Sequence, residues 1–361
     1  MIIRPTTDTT LPWIDFSTLT AVNTCPRWGI IHSIKGKRLS SGVERVLPLE
    51  AGRAMHDVFA CCRFFDLITH IGAQATNDDL KYEEYKQIEA YATKLFATAE
   101  YPDRWREAMS YFTSTEDAET RCMQMCLNLL ESSGYRDDPR DNKRTQSNLE
   151  SAAINYVQRY PLGRFIPIMT DKMVGIEVPI DVTLYYPADV PLVRLIGRVD
   201  GLCIDTMRKY DTTPEVHENK TGSRIDTVWS NSFDTSHQVT TYLIALSAML
   251  DMKLTNCVMW GLQLPVPKSS MYSDGMMRYP TSRDEDAFMN WRAWLMHTLN
   301  IIDLYKDDPT NAPMYTHSCN RYFRSCSFIP LCTESNAQRK HIYEHEMVTE
   351  RWSPIAETLD P

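Results

Sequence analysis

Apolar and polar residues alternate along several short segments in the second half of the chain. This alternation predicts strands over four segments: residues 174–186, residues 192–204, the segment around Glu218, and residues 257–264. Apolar residues at helical spacing predict helices that begin at Gly52 and at Gln238, and another over residues 287–304. An earlier helix, N-capped at Ser17, is predicted to lead to Cys25. The pattern indicates an α/β core.

Composition along the 361 residues predicts five consecutive segments. They are an N-terminal segment with Cys25 and the His56 helix (1–65), a helical insertion (66–165), the α/β core (166–270), a helix followed by three cysteines (271–335), and a polar tail (336–361). No internal repeat is visible. The hydrophobic content of 43% is enough to bury a large core, which excludes a disordered protein.

Polar residues interrupt the predicted strands at positions that can form a metal site. A turn signal over residues 209–214 joins the strand that contains Asp200 to the strand that contains Glu218 and Lys220, which predicts a hairpin. Because side chains alternate along a strand, Glu218 and Lys220 share a face, and the neighbouring strand can bring Asp200 beside them. Carboxylates of this kind suit Mg²⁺ or Mn²⁺, and Lys220 would orient or activate a metal-bound water. The alternative is a solvated hairpin with an ordinary surface ion pair.

Two predicted helices add polar residues to this pattern. His56 lies one turn after Gly52 at the start of the first helix, where it could be another metal ligand. Gln238 and Tyr242, four residues apart, lie on one face of the second helix and can hold a nucleic-acid strand.

Taken in order, Gly-x-x-x-His, Gly-x-x-Asp, Glu-x-Lys and Gln-x-x-x-Tyr resemble the PD-(D/E)XK nucleases of the RecB/AddB type, including the CRISPR-adaptation exonucleases and their phage homologues. The resemblance covers about residues 13–335 and implies a restriction-endonuclease-like core, a mixed sheet flanked by helices. It implies that Asp200 and Glu218 are metal ligands together with the backbone carbonyl of Asn219, that Lys220 is the catalytic lysine, and that His56 is a further ligand favouring Mn²⁺. Glu177 would be an acidic residue on the preceding strand.

Four cysteines form a second candidate site: Cys25, Cys319, Cys326 and Cys332. Subsets of the same nucleases carry a [4Fe–4S] cluster held by one cysteine before the core and three after it, and the resemblance implies such a cluster here. The C-terminal spacing departs from the commoner Cys-x-x-Cys start. Structural zinc is the alternative, since four thiolates also suit tetrahedral Zn²⁺. The other six cysteines lie in apolar contexts, which predicts core packing.

The formal charge of −9 is unusual for a protein that binds phosphates, but its distribution is uneven. Residues 66–150 hold 17 acidic and 10 basic residues, a balance of −7, so the insertion is predicted to face away from DNA. Basic residues gather in residues 27–45 and around the C-terminal cysteines, together with aromatic residues: Trp28, Tyr322 and Phe323. Joined by a cluster, the two segments could form a DNA-binding surface. The alternative is scattered solvated charge.

The absence of several known motifs argues against other classes of enzyme. No phosphate loop of an ATP motor, no Gly-x-Ser-x-Gly elbow and no Gly-x-Gly-x-x-Gly after a strand occurs, so any helicase or recombination partner would be a separate protein. The sequence shows no secretory leader and no apolar run long enough for a bilayer, which predicts a soluble protein of a reducing cytoplasm, that of a bacterial host if the chain is phage-encoded.

We therefore expect a metal-dependent DNA exonuclease acting on single-stranded or resected ends, in recombination, repair or phage DNA processing. The alternatives are a DNA-binding or assembly subunit with little activity and a structure-dependent endonuclease.

Overall fold

The computed structural model describes residues 1–39, 47–75, 118–170, 173–187, 189–266, 275–321 and 324–349. These residues form a mixed sheet with helices packed on both faces, which confirms the predicted α/β class.

Eight strands build the main sheet, and β5 to β9 lie in sequence order across most of it. The strands are β1 (Ile2–Pro5), β2 (Trp13–Asp15), β4 (Phe165–Pro167), β5 (Ile176–Tyr185), β6 (Pro191–Asp205), β7 (Glu215–Gly222), β8 (Asn256–Gln263) and β9 (Met276–Ser282), with β3 (Lys37–Leu39) outside this sheet. The order is β1-β5-β6-β7-β8-β9, and β2 and β4 also pair with β6. Strands β7 and β8 run parallel and most other neighbours run antiparallel. The long β6 is therefore the centre of the sheet.

Ten α-helices occur in the described residues, several of them short. They are α1 (Phe16–Thr24), α2 (Pro26–Trp28), α3 (Leu47–Ala75), α4 (Ala118–Ser132), α5 (Gln146–Arg159), α6 (Thr227–Asn231), α7 (His237–Leu250), α8 (Glu285–Tyr305), α9 (Ile329–Cys332) and α10 (Asn336–His341). Helix α1 differs from expectation at its start, because Asp15 rather than Ser17 is the N-cap and accepts hydrogen bonds from two backbone N–H groups. Helix α3 runs without a break through residue 65, so the expected boundary between residues 65 and 66 lies inside a helix.

Alternation along the strands gives the protein two apolar cores. On β8, Val258 and Trp260 pack into one core with α3, α4 and α5. The residues between them, Cys257 and Met259, pack into the other core with α7 and α8. Because a strand presents successive side chains to opposite faces, a sheet covered by helices on both sides needs apolar residues at nearly every position. The central strands are accordingly buried throughout most of their length.

The two ends of the chain meet outside the main sheet. Strand β3 pairs antiparallel with β12 (Met347–Thr349), and a small hairpin of β10 (Asn320–Arg321) and β11 (Arg324–Ser325) lies in the C-terminal segment. Met347 packs with Ile31, Phe328 and Leu331 in a separate apolar cluster. Residues 336–349, the described part of the predicted polar tail, include a helix and a strand that pairs with the N-terminal segment; residues 350–361 lie outside the described residues.

Candidate active site

Strands β6 and β7 form the hairpin that the sequence predicts. Gly201 pairs with His217, so Asp200 lies opposite Glu218 in the register. The Asp200 carboxylate accepts hydrogen bonds from the backbone N–H of Asn219 (2.6 Å) and from the Asn219 side-chain amide (3.1 Å). Both acids are almost fully buried. The hairpin therefore holds two carboxylates in a fixed arrangement inside the protein.

Glu177 and His56 complete a group of possible metal ligands around Asp200. The Nδ1 atom of His56 lies 3.2 Å from Asp200 Oδ1 and 3.8 Å from Glu177 Oε1. One ligand atom from each of the three residues lies within 4.8 Å of the others. Ile176 pairs with Gly201 and Val178 with Val199, which sets Glu177 beside Asp200 on the neighbouring strand. The first helix and two strands thus converge at one point.

Glu177 has an unusual backbone. Its φ of 48° lies in the left-handed region that favours glycine, although glutamate carries a Cβ. Such strain costs of order 1–3 kcal/mol and is concentrated at functional sites in proteins. Arg198 holds the side chain in place, since its Nε lies 3.2 Å from Glu177 Oε2. This conformation directs an acidic residue to the candidate site at a cost to local stability.

Four polar side chains form a hydrogen-bonded chain on the other side of Asp200. Lys220 donates to Glu218 Oε1 at 2.5 Å, and Gln238 Nε2 donates to the same oxygen at 3.1 Å and to the Tyr242 hydroxyl at 2.8 Å. Glu218 and Lys220 share a strand face, as predicted, and this face is directed at helix α7. The intervening Asn219 faces the opposite helices and accepts a hydrogen bond from Tyr156 at 3.2 Å.

The pKa values of Glu218 and His56 are raised, whereas that of Asp200 is lowered. Burial and the neighbouring Asp200 carboxylate raise the pKa of Glu218 to about 7. Burial also opposes ionisation of Asp200, but His56 and Arg63 outweigh it and hold the pKa of that carboxyl below its usual range. Burial lowers the pKa of His56, whereas Asp200 and Glu177 raise it more, so its net pKa lies well above the usual value. These pKa shifts in opposite directions are as expected for ionisable groups buried beside one another.

Unpaired oxygen atoms support a cation at this position. Among the described residues, Glu177 Oε1 and Glu218 Oε2 are buried and have no hydrogen-bond partner. Buried carboxylate oxygens normally have partners, and oxygen atoms are the ligands that Mg²⁺ and Mn²⁺ prefer. Two carboxylates, Glu177 and Asp200, and the His56 imidazole therefore form a group that could hold a divalent ion, and Glu218 lies outside that group. The carbonyl of Asn219 remains a predicted ligand.

Arg63 lies directly behind the site and is not evident from the sequence. Its side chain is completely buried, and its guanidinium lies against Gly201, where a Cβ atom would come within 2.4 Å of Nε. The arginine is also one of the groups that lower the pKa of Asp200. The sequence feature that could have predicted its role is its position in the middle of an apolar helix, because a charged residue buried there needs a partner.

The four cysteines predicted to share a centre lie in one neighbourhood. Burial raises the pKa of the Cys326 thiol, and Cys332, Cys25 and Cys319 raise it further, although the Phe328 N–H opposes them. The Cys326 N–H donates to the Cys319 carbonyl at 2.7 Å, and Arg27, two residues after Cys25, donates through its side chain to the Ala312 carbonyl at 3.0 Å. No three of the four sulfur atoms lie mutually within 4.8 Å.

The basic surface predicted near these cysteines is only partly available for DNA. Arg27 is buried, Lys340 lies 3.6 Å from Asp308, and Lys37 donates to the Tyr343 carbonyl at 2.6 Å. Trp28 stacks on His32 with ring centroids 5.4 Å apart. Arg45, Tyr322, Phe323 and the acidic stretch of residues 76–117 lie outside the described residues. Several of the basic residues therefore join the two ends of the chain.

Comparison with protein-family models found no match, and comparison with curated proteins found none either. The resemblance to PD-(D/E)XK nucleases therefore stays a prediction from the sequence motifs. None of the helices in the described part of the chain combines the length and the apolar character needed to cross a membrane.

Proposed function

We propose that this protein is a metal-dependent deoxyribonuclease that hydrolyses phosphodiester bonds from DNA ends, on single-stranded or resected substrates. The observation that carries the proposal is the convergence of His56, Glu177 and Asp200 within 4.8 Å, beside the bonded pair of Glu218 and Lys220. Acids, an imidazole and a lysine at one point suit hydrolysis of a phosphate ester better than they suit a structural ion pair.

Asp200, Glu218, Glu177 and His56 would hold Mg²⁺ or Mn²⁺, with the Asn219 carbonyl as a further ligand. A bound ion would lower the pKa of a coordinated water and neutralise charge on the phosphate. Arg198 and Asn219 keep Glu177 and Asp200 in position through the bonds described above. These contacts support a preorganised metal site.

Lys220 would orient the attacking water and stabilise the developing charge. Burial lowers the pKa of Lys220, but Glu218 and Asp200 raise it more, so the ammonium stays charged and donates hydrogen bonds. Gln238 donates hydrogen bonds to both Glu218 and Tyr242. Gln238 and Tyr242 would contact the DNA strand near the scissile phosphate. Exposed backbone phosphates, rather than bases, would be the groups recognised.

A [4Fe–4S] cluster held by Cys25, Cys319, Cys326 and Cys332 is the second part of the proposal. In a tetrahedral zinc site, Zn–S bonds of about 2.3 Å would place the sulfur atoms roughly 3.8 Å apart. No three of the four sulfur atoms lie mutually within 4.8 Å, so their arrangement is not that of a preformed zinc site. The larger iron–sulfur cluster would have a structural role beside the DNA path. A separate helicase or recombination protein would supply the DNA ends.

Cleavage of end-labelled DNA tests the catalytic assignment. Asp200→Asn and Lys220→Ala should each lower Mg²⁺- or Mn²⁺-dependent cleavage by about 10²-fold or more, because each removes a group needed in the transition state. The matched exposed variants, Asp303→Asn and Lys253→Ala, should retain wild-type activity. Undiminished cleavage by both site variants would exclude this active site. DNA binding without cleavage by the wild-type protein would favour the assembly-subunit alternative.

Closed single-stranded circles test the exonuclease assignment. A linear strand should be shortened from an end while a circle of the same sequence resists, and binding to both should weaken steeply with salt as counterion release predicts. Nicking of the circle at a comparable rate would show an endonuclease instead.

A further inference from the structure

A second convergence of metal-binding side chains lies away from the candidate active site, between helices α3 and α4. The sulfur atoms of Cys61, Cys122 and Cys126 lie within 4.8 Å of one another. Cys62 joins them, with its Sγ 3.7 Å from that of Cys122. All four side chains have no exposed surface. Four of the ten cysteines of the chain therefore form one buried cluster.

The sequence brings these thiols together by simple spacing. Cys122 and Cys126 are four residues apart and share one face of α4, while Cys61 and Cys62 are adjacent on α3. Apolar packing alone requires only small hydrophobic side chains at these positions, and alanine or valine would satisfy it. Apolar packing alone does not explain why the sulfur atoms lie close together between the two helices.

The distances agree with those of a tetrahedral thiolate site. Zn–S bonds of about 2.3 Å separate neighbouring sulfur atoms by roughly 3.8 Å. The Cys62–Cys122 distance of 3.7 Å already has this value, and the sulfur atoms of the other two cysteines, Cys61 and Cys126, lie within 4.8 Å of that of Cys122.

We propose that Cys61, Cys62, Cys122 and Cys126 bind a structural Zn²⁺ ion that fastens α4 to α3. Each thiol that ligates the ion releases its proton to solvent, so binding exchanges protons for Zn²⁺ with no oxidation or reduction. Because the site is closed, the ion would enter as the helices fold together. It would hold α4 on α3, the helix that supplies His56, and it does not depend on nuclease activity.

Zinc content of the full-length protein tests this proposal. After gel filtration in zinc-free buffer, the wild-type protein should retain one zinc ion per chain. Cys61→Ala and Cys126→Ala should lose it. Cys203→Ala, which alters a buried cysteine outside the group, should keep it, and so should Cys326→Ala, which alters the separate C-terminal site. Zinc lost only with Cys326→Ala, or wild-type protein that holds no zinc after refolding with Zn²⁺, would overturn the proposal.

Anomalous diffraction at the zinc absorption edge provides a test that does not depend on variants that fold. Crystals of the wild-type protein should show a peak between α3 and α4. Crystals without a peak there would overturn the proposal even if other peaks are present.

Discussion

The backbone of β6 passes directly beneath a buried arginine at Gly201. None of the three guanidinium nitrogens of Arg63 has a hydrogen-bond partner among the described residues. A buried cation without partners is costly, and the Asp200 carboxylate is among the groups that favour the charged form of Arg63. Arg63 therefore balances the negative charge of the candidate site from behind, and glycine at position 201 makes room for it.

Substituting the two glycines of β6 tests this arrangement. Gly201→Ala should lower the free energy of unfolding by about 1–3 kcal/mol, because the new Cβ would meet Arg63 in a filled core. Gly197→Ala is the matched control, since its Cβ would lie 3.8 Å from Tyr242, an ordinary contact. Urea denaturation measures both. Equal losses in the two variants would contradict a special role for the Arg63 contact.

Asp66, a buried acid that is not one of the predicted metal ligands, should make the stability of the protein depend on pH. Burial raises the pKa of Asp66 from 3.8 to about 7, although the Tyr160 hydroxyl, the Gly163 N–H and Arg63 oppose it. Between pH 4 and 7 the folded state thus holds a proton that the unfolded chain releases, and this contribution to stability is lost as pH rises toward 7. Asp66→Asn should therefore gain stability relative to wild type between pH 5 and pH 8, as measured by urea unfolding. The exposed Asp303→Asn should show no such trend.

At the scale of elements, the sequence predicts the helices and strands that have a clear local pattern better than those that depend on long-range pairing. The predicted strand over residues 192–204 corresponds to β6, and the helix expected from Gln238 corresponds to α7. Alternation along β7 likewise predicts that Glu218 and Lys220 share a strand face. The short strands β1 and β2 were not predicted, because their pairing depends on partners nearly two hundred residues away. Arg63 and the conformation of Glu177 likewise depend on tertiary contacts that no local pattern records.

Strand β12 is the element whose removal should affect the terminal segments most. Truncation after Glu346 removes the pairing with β3 and the buried Met347, whose burial is worth about 1.5–3 kcal/mol. Limited proteolysis should then cut faster near residues 37–39. Truncation after Thr349 is the matched control and should leave that segment as resistant as in the full chain. Identical cutting in both truncated proteins would show that β12 contributes nothing measurable.

At the scale of the whole molecule, the two ends of the described chain are joined by protein contacts. The β3–β12 pairing and the apolar cluster around Ile31 and Phe328 connect residues more than three hundred positions apart. An iron–sulfur centre would therefore reinforce a connection that already exists. Since folded ends lie beside the cysteines, loss of the centre should not release both segments.

Anaerobic purification tests this view of the terminal centre. The wild-type protein should be brown, with the broad visible absorbance of thiolate-bound iron and sulfide. Cys326→Ala should be colourless because it removes one ligand, while Cys257→Ser, which alters a buried cysteine of the main sheet, should keep the colour. Proteolysis of Cys326→Ala near residues 37–39 should be slower than that of the chain truncated after Glu346, since β12 remains paired. If the wild-type protein is colourless and loses zinc in Cys326→Ala, the same four thiols bind zinc and not an iron–sulfur cluster.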